Sequence, residues 1–275
     1  IRRLTAMDGP LMLHWPEIDP VALQLGPLAI HWYGLMYVLG FLAIYQLSKR
    51  QMMLRGEWGE VVSAEQYEGL FSWLILGVVL GGRLAYVIFY NGAHYLEHPL
   101  EVLYIWQGGM SFHGGMLGPV LAGWWYCRRH KLPFLMLADR IFTVAPLGLA
   151  LGRLGNFING ELWGRVTDVP WGMVFPYAGP DPRHPSQLYE LSLEGLALFA
   201  LLWTTRRCDW PAGSRVALFL VGYALARIFC EQFRQPDAQL GFLFASVTMG
   251  MLLSSLMLLV GGIWLVVLFG RKKTA

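Results

Sequence analysis

Leu70-Phe-Ser-Trp-Leu-Ile-Leu-Gly-Val-Val-Leu-Gly-Gly-Arg-Leu-Ala-Tyr-Val-Ile-Phe-Tyr90 carries a single charge, Arg83, in an otherwise apolar run. About 20 such residues cross the hydrocarbon core of a bilayer as a helix. Comparable stretches fall near 28–48, 112–127, 136–155, 188–205, 214–233 and 242–269. The stretch at 112–127 is short, and the one at 136–155 opens on Asp139 and Arg140. The expected fold is an all-α polytopic membrane protein of about seven transmembrane helices, with a polar segment between the fourth and the fifth.

Composition agrees with that reading. Hydrophobic residues make up 56% of the 275 residues and charged ones 14%, where a soluble domain carries about 25% charged. Mean hydropathy is +0.46. An ordinary soluble globule and a disordered chain are both excluded. A net charge of +3, without a long basic run, argues against a nucleic-acid partner. Cys127, Cys208 and Cys230 are odd in number and form no C-x-x-C, so neither a disulfide framework nor a zinc site is expected. The first 20 residues, with Pro10, Pro16, Glu17, Asp19 and Pro20, lack the apolar core of a cleavable signal peptide. The first span is expected to remain as an anchor.

The loops orient the bundle. Lys49, Arg50, Arg55, Arg128, Arg129, Lys131, Arg206, Arg207, Arg215, Arg271, Lys272 and Lys273 fall on one side, and Arg2, Arg3, Arg165, Arg183 and Arg234 on the other. The positive-inside rule places the carboxyl end in the cytoplasm and the amino end outside. The chain then divides into an outer segment 1–27, helices one to four over 28–155, an outer loop segment 156–187, helices five to seven over 188–269 and a cytoplasmic tail 270–275.

Four basic residues, Arg83, Arg140, Arg153 and Arg227, lie inside apolar stretches. Each costs about 2.5–3.5 kcal/mol at the centre of an inserted helix. Arg83, Arg153 and Arg227 converge on the outer half of the bilayer, with Arg234 at its rim. Tyr223, Arg227, Glu231 and Arg234 share one helical face, as do Gln187, Glu190 and Glu194. Interhelical ion pairs, such as Arg227 with Glu231 and Arg83 with Glu190 or Glu194, account for part of this pattern. For Arg153 and Arg234 no neighbouring carboxylate is obvious in the sequence. A guanidinium with five donors suits a phosphate, and a phosphate at this depth belongs to a lipid of the outer leaflet.

Gly108-Gly-Met-Ser-Phe-His-Gly-Gly115 opens the third apolar stretch. His113, near the same depth, has an imidazole suited to proton transfer at neutral pH. The GMSFH run resembles a nucleophile elbow in part, but it lacks the final glycine and a preceding strand. His94 and His98 have helical spacing without the glutamate that a zinc motif needs, so no metal is expected. Gly77/Gly81, Gly114/Gly118 and Gly148/Gly152 are small-xxx-small pairs, whose usual purpose is close helix packing. A lipid flippase or transporter is the rival reading. The odd number of spans and the lack of an inverted repeat stand against it.

Gly152-Arg-Leu-Gly-Asn-Phe-Ile-Asn-Gly-Glu-Leu-Trp-Gly-Arg165 resembles the signature of bacterial prolipoprotein diacylglyceryl transferases. The likeness extends to His31-Trp-Tyr-Gly34, to Gly108–Gly115, to Arg183-His-Pro-Ser-Gln-Leu-Tyr-Glu190 and to Phe233-Arg-Gln-Pro-Asp237, in family order. It implies a seven-helix enzyme of the bacterial inner membrane, with segments 1–27 and 156–187 in the periplasm. That enzyme transfers diacylglyceryl from phosphatidylglycerol to the lipobox cysteine of a prolipoprotein, without a cofactor. By the same resemblance His113, Arg153 and Arg234 are catalytic, and Arg153, Tyr33, Asn156, Glu161 and Gly164 bind substrate. The amino end, Ile1 to Asp8, and the short stretch between Phe175 and Arg183 depart from the family pattern.

Overall fold

A computed structural model describes residues 13–90, 92–236 and 247–272. The elements are β1 (Leu13–His14), β2 (Val21–Leu25), β3 (Leu28–His31), α1 (Trp32–Leu54), α2 (Ala64–Phe89), α3 (Gly92–Glu97), α4 (Phe112–Arg129), α5 (Phe134–Phe142), α6 (Ala145–Ile158), β4 (Met173–Val174), α7 (Ser186–Glu190), α8 (Leu198–Thr204), α9 (Ser214–Glu231) and α10 (Met249–Lys272). A π-helical turn, Leu191–Ala197, joins α7 to α8. Helices lie over all seven apolar stretches. Among the described residues, Ala64–Phe89 and Met249–Gly270 are each long and apolar enough to cross a membrane, and α5 with α6 is a third such span if the pair is counted as one. The readings for Ile1 to Asp8 and for Lys273 to Ala275 lie outside the described residues.

Two boundaries differ from the sequence expectation, each for a local reason. The first stretch opens as strand rather than helix. Gly26, at φ +60°, and Pro27 join β2 to β3, a two-residue loop with glycine first, which suits a hairpin. The fourth stretch is two helices bent by 42°. Pro146, in the first turn of α6, lacks the N–H and clashes with the carbonyl four residues back, so α5 cannot continue. Asp139, the charge that interrupts this stretch, caps another helix. Its carboxylate accepts from the main-chain N–H groups of Gly213, Arg215 and Val216 at 2.9, 2.9 and 3.0 Å, where α9 begins and its dipole favours a negative charge. Arg215, counted above with the loop cations, is 2% exposed and donates to the carbonyls of Thr205 and Cys208.

The chain forms two compact units, one of residues 1–48 and 138–275, the other of Lys49–Leu137. In the second unit, Ser63 and Gln66 make a reciprocal capping box at the start of α2. That helix packs along α4 through glycines. A Cβ on Gly77 would lie 2.8 Å from main-chain atoms of Gly118 and Pro119, and one on Gly81 would lie 2.8 Å from Gly118 Cα. In the first unit α9 packs on α10, and Leu198, Leu202 and Phe219 form a buried cluster joined by Phe142 and Tyr223. A Cβ on Gly40 would approach Gly148 Cα at 3.3 Å, whereas Gly152 faces open space. Of the third glycine pair, only Gly148 is a packing residue.

Gly118→Ala should therefore destabilise by about 1–3 kcal/mol through overpacking. Gly152→Ala should leave stability unchanged or slightly raised, since alanine is the better helix former. Thermal unfolding of the purified variants in detergent measures both.

Candidate functional site

The first unit carries three arginines and three glutamates in one buried cluster. α6 projects Arg153, whose Nε lies 2.7 Å from Glu190 Oε2 and whose Nη2 lies 3.5 Å from Glu194 Oε2. α9 projects Arg227, whose Nη1 lies 3.1 Å from Glu190 Oε1 and 3.5 Å from Glu194 Oε1. Its Nη2 meets Glu231 Oε2 at 2.8 Å, one helical turn on. Just past that helix, Arg234 Nη1 stands 3.5 Å from Glu190 Oε1. Thr248 Oγ1 donates to Glu231 at 2.9 Å. Glu190 and Glu194 are each 1% exposed.

Local backbone explains why these carboxylates meet. Glu190 ends α7 and Glu194 sits in the π-helical turn after it, a helix form concentrated at functional sites. Gly195 lets this turn approach α6, because a Cβ there would lie 2.9 Å from Ala150 Cα. Arg234 is held through its main chain. Gly164 and Arg234 pair as an antiparallel bridge, and Arg165 N donates to the Phe233 carbonyl at 2.9 Å. Arg165 Nε donates to the Arg234 carbonyl at 2.9 Å. A Cβ on Gly164 would stand 2.5 Å from that Phe233 carbonyl and 2.7 Å from His184, so close backbone packing accounts for this glycine.

A second polar group adjoins the first. The Asn156 amide donates to Glu161 Oε1 at 2.9 Å and also bonds Tyr33. Tyr33 and Tyr37 hydroxyls lie 3.1 Å apart. Asn159 Nδ2 reaches the same Glu161 oxygen at 3.3 Å. The Glu161 main chain accepts from Gln187 Nε2 at 2.7 Å, and Leu162 O accepts from Ser186 Oγ at 3.0 Å. The segment after α6 is thereby tied to α7, the helix that ends in Glu190.

The ion pairs correct the sequence expectation in two places. Arg153 and Arg234 do have carboxylate partners, Glu190 and Glu194 for Arg153 and Glu190 for Arg234, supplied from a segment about 40 residues away in sequence. Arg83 pairs with neither glutamate; its partners are main-chain carbonyls of its own unit. The structure thus brings Arg153, Arg234, Tyr33, Asn156, Glu161 and Gly164 into the first unit. His113 lies in the first turn of α4 in the other unit, and its side chain lies outside the described residues. Glu190, Glu194 and Arg227 were absent from the resemblance-derived set, although their helical spacing marked them as neighbours.

Among the described residues Arg153 bonds only Glu190 and Glu194, through Nε and Nη2. Among those residues its Nη1 edge has no acceptor, and the side chain is 19% exposed, the highest of the three arginines. The site can therefore present one guanidinium edge to an added anion while its remaining charges are already balanced.

Two measurements follow from this arrangement. Glu190→Gln keeps the side chain's shape but removes the anion that three guanidiniums share, and breaking a buried pair costs on the order of 3–5 kcal/mol. Denaturation should show that loss, while Glu97→Gln, an exposed position, should show less than about 0.5 kcal/mol. His184, in the segment between α6 and α7, has its pKa lowered by burial and by the Arg165 charge. The unfolded chain takes up that proton near pH 6.5 and the folded one resists it. Stability should fall as pH drops below about 6.5, and His184→Asn should make that fall shallower in denaturation curves taken from pH 7.5 to 5.5.

Comparison with known proteins accords with this geometry. The family model described as "Prolipoprotein diacylglyceryl transferase" matches residues 20–268. A protein of Legionella pneumophila (strain Paris) named phosphatidylglycerol–prolipoprotein diacylglyceryl transferase is 52% identical over 256 residues, covering 92% of this chain and 98% of the relative. Relatives of the same name from Bordetella bronchiseptica (54% identity; 91% and 95% covered) and Desulfotalea psychrophila (52%; 90% and 92%) agree. With its buried arginine–glutamate cluster and the Gly152–Arg165 signature that feeds it, the chain belongs to the prolipoprotein diacylglyceryl transferase family.

Proposed function

We propose that this chain transfers the diacylglyceryl group of phosphatidylglycerol to the lipobox cysteine thiol of a prolipoprotein, forming a thioether and releasing glycerol phosphate. The observation that carries the reading is the open Nη1 edge of Arg153 in a charge-balanced, buried cluster, within a chain of this family. A lipid phosphate accepts two parallel N–H bonds from such an edge. Acyl chains remain in the bilayer while only the head group enters.

The nucleophile is the substrate's own thiol. At a pKa of about 8.5 it is a few per cent thiolate at neutral pH, so a base raises the reactive fraction. His113 takes the proton. The sulfur then attacks the glycerol carbon that bears the phosphate ester; the S–C bond forms, the C–O bond breaks, and its electron pair leaves on glycerol phosphate. Arg153 and Arg234 stabilise the charge that grows there. Tyr33, Asn156 and Glu161 orient the head group, and Gly164 lets the main chain pack close enough to hold Arg234 in place.

The same reading embeds the chain in the bacterial inner membrane as seven spans. The amino end and the head segments 1–27 and 156–187 face the periplasm, the site opens to the periplasmic leaflet, and residues 270–275 face the cytoplasm. Helices over all seven apolar stretches support it, as does the loop charge bias.

Purified enzyme given phosphatidylglycerol labelled in its diacylglycerol and a lipobox peptide should yield labelled cysteine and water-soluble glycerol phosphate. Arg153→Ala and His113→Asn should each lower kcat/KM by about 10²-fold or more. Lipid consumed without a thioether, or full transfer by either variant, overturns the assignment.

A further inference from the structure

Arg83 is a membrane-depth cation that finds its partners in the main chain. Its Nη2 donates to Glu101 O at 2.6 Å and its Nε to Val102 O at 2.8 Å. Its Nη1 donates to Gly108 O at 2.7 Å and to Gly109 O at 3.0 Å. The side chain is 4% exposed, and Cζ lies 5.2 Å from the Tyr95 ring centroid. All these residues belong to the Lys49–Leu137 unit.

The four carbonyls come from two consecutive pieces of chain. Glu101 and Val102 lie in a 3₁₀ turn, Pro99–Leu103, while Gly108 and Gly109 form the bend that leads into α4. Both glycines have positive φ, +85° and +74°. A Cβ on Gly109 would stand 2.7 Å from Arg83 Nη1 and 2.7 Å from Tyr86 Cε1, whereas Gly108 has open space. Two residues later Ser111 N donates to Gly82 O at 2.9 Å, and Ser111 Oγ caps the Gly114 N–H. Adjacent residues of α2, Gly82 and Arg83, thus fasten the chain on both sides of Met110, and α4 starts from that anchorage with His113 in its first turn.

We infer that Arg83 is a positioning residue for the reaction. It clamps the Glu101–Gly109 segment against α2 and so sets where α4, and the main chain of His113, begins. The inference rests on the reading that His113 takes part in transfer. Only a planar guanidinium fits the clamp. It offers five donors in a fixed fork, whereas a lysine offers three from one point. Displacing a catalytic group by about 1 Å can cost about 10²-fold in rate.

The test uses the full-length enzyme in detergent, with phosphatidylglycerol and a lipobox peptide. Arg83→Lys and Gly109→Ala should each lower kcat by about 10²-fold. KM for phosphatidylglycerol should change less than about twofold, because the head-group arginines lie elsewhere. Amide hydrogen exchange should quicken across residues 101–114 and stay unchanged in α6 and α9. Gly108→Ala, with room for its Cβ, should do less than Gly109→Ala. Gly109→Ala keeps every hydrogen-bonding group of the clamp, so it carries the test should Arg83→Lys not fold. Faster exchange with kcat unchanged per folded molecule would reduce Arg83 to a structural role, and unchanged exchange would dissolve the clamp. Absence of thioether product from the wild type would instead defeat the functional reading and leave the exchange result standing.

Discussion

Charge neutrality inside an apolar helical unit is the constraint on which the rest depends. An unpaired ion in low dielectric costs several kcal/mol even after relaxation. Arg153, Arg227 and Arg234 are balanced by Glu190, Glu194 and Glu231, with Glu190 within 3.5 Å of all three guanidiniums. That balance dictates backbone: the π-helical turn that carries Glu194, the glycine that lets it meet α6, and the bridge between Gly164 and Arg234. The same rule holds for three further buried charges. Asp139 is satisfied by the N–H groups that open α9, and Arg83 and Arg215 by carbonyls.

Much of this was legible in the chain. Seven apolar stretches located the helices because burial or lipid contact needs continuous apolar length. The spacing of Tyr223, Arg227, Glu231 and Arg234 revealed one face because helical periodicity is local. The glycines of 77, 81, 114 and 118 announced close packing, and α2 meets α4 through them.

What was not legible was long-range. Arg153 and Glu190 are 37 residues apart, and no periodicity links them. Arg83 looked like a candidate for Glu190 because charge suggests charge, yet main-chain carbonyls serve a cation as well and cost no second buried ion. Gly152 looked like Gly148, and only a neighbour's backbone distinguishes them. The break in the fourth stretch was written in Pro146, but the use made of the interrupted turn, an aspartate capping a helix some 75 residues on, required the tertiary fold.

A balanced cluster is also the arrangement that the proposed chemistry favours. The phosphodiester of phosphatidylglycerol carries one negative charge, and the departing phosphate carries more as the C–O bond breaks. A bare triplet of arginines would bind the diester tightly in its ground state, which lowers KM without raising kcat. With Glu190 and Glu194 already engaging Arg153, the proposed mechanism has the resting diester meet one guanidinium edge. The additional charge of the transition state competes better for the same donors. On that proposal the glutamates do more than make the arginines tolerable inside an apolar unit. In the proposed mechanism they reserve part of the positive field for the moment when charge develops, which is where electrostatic stabilisation lowers a barrier.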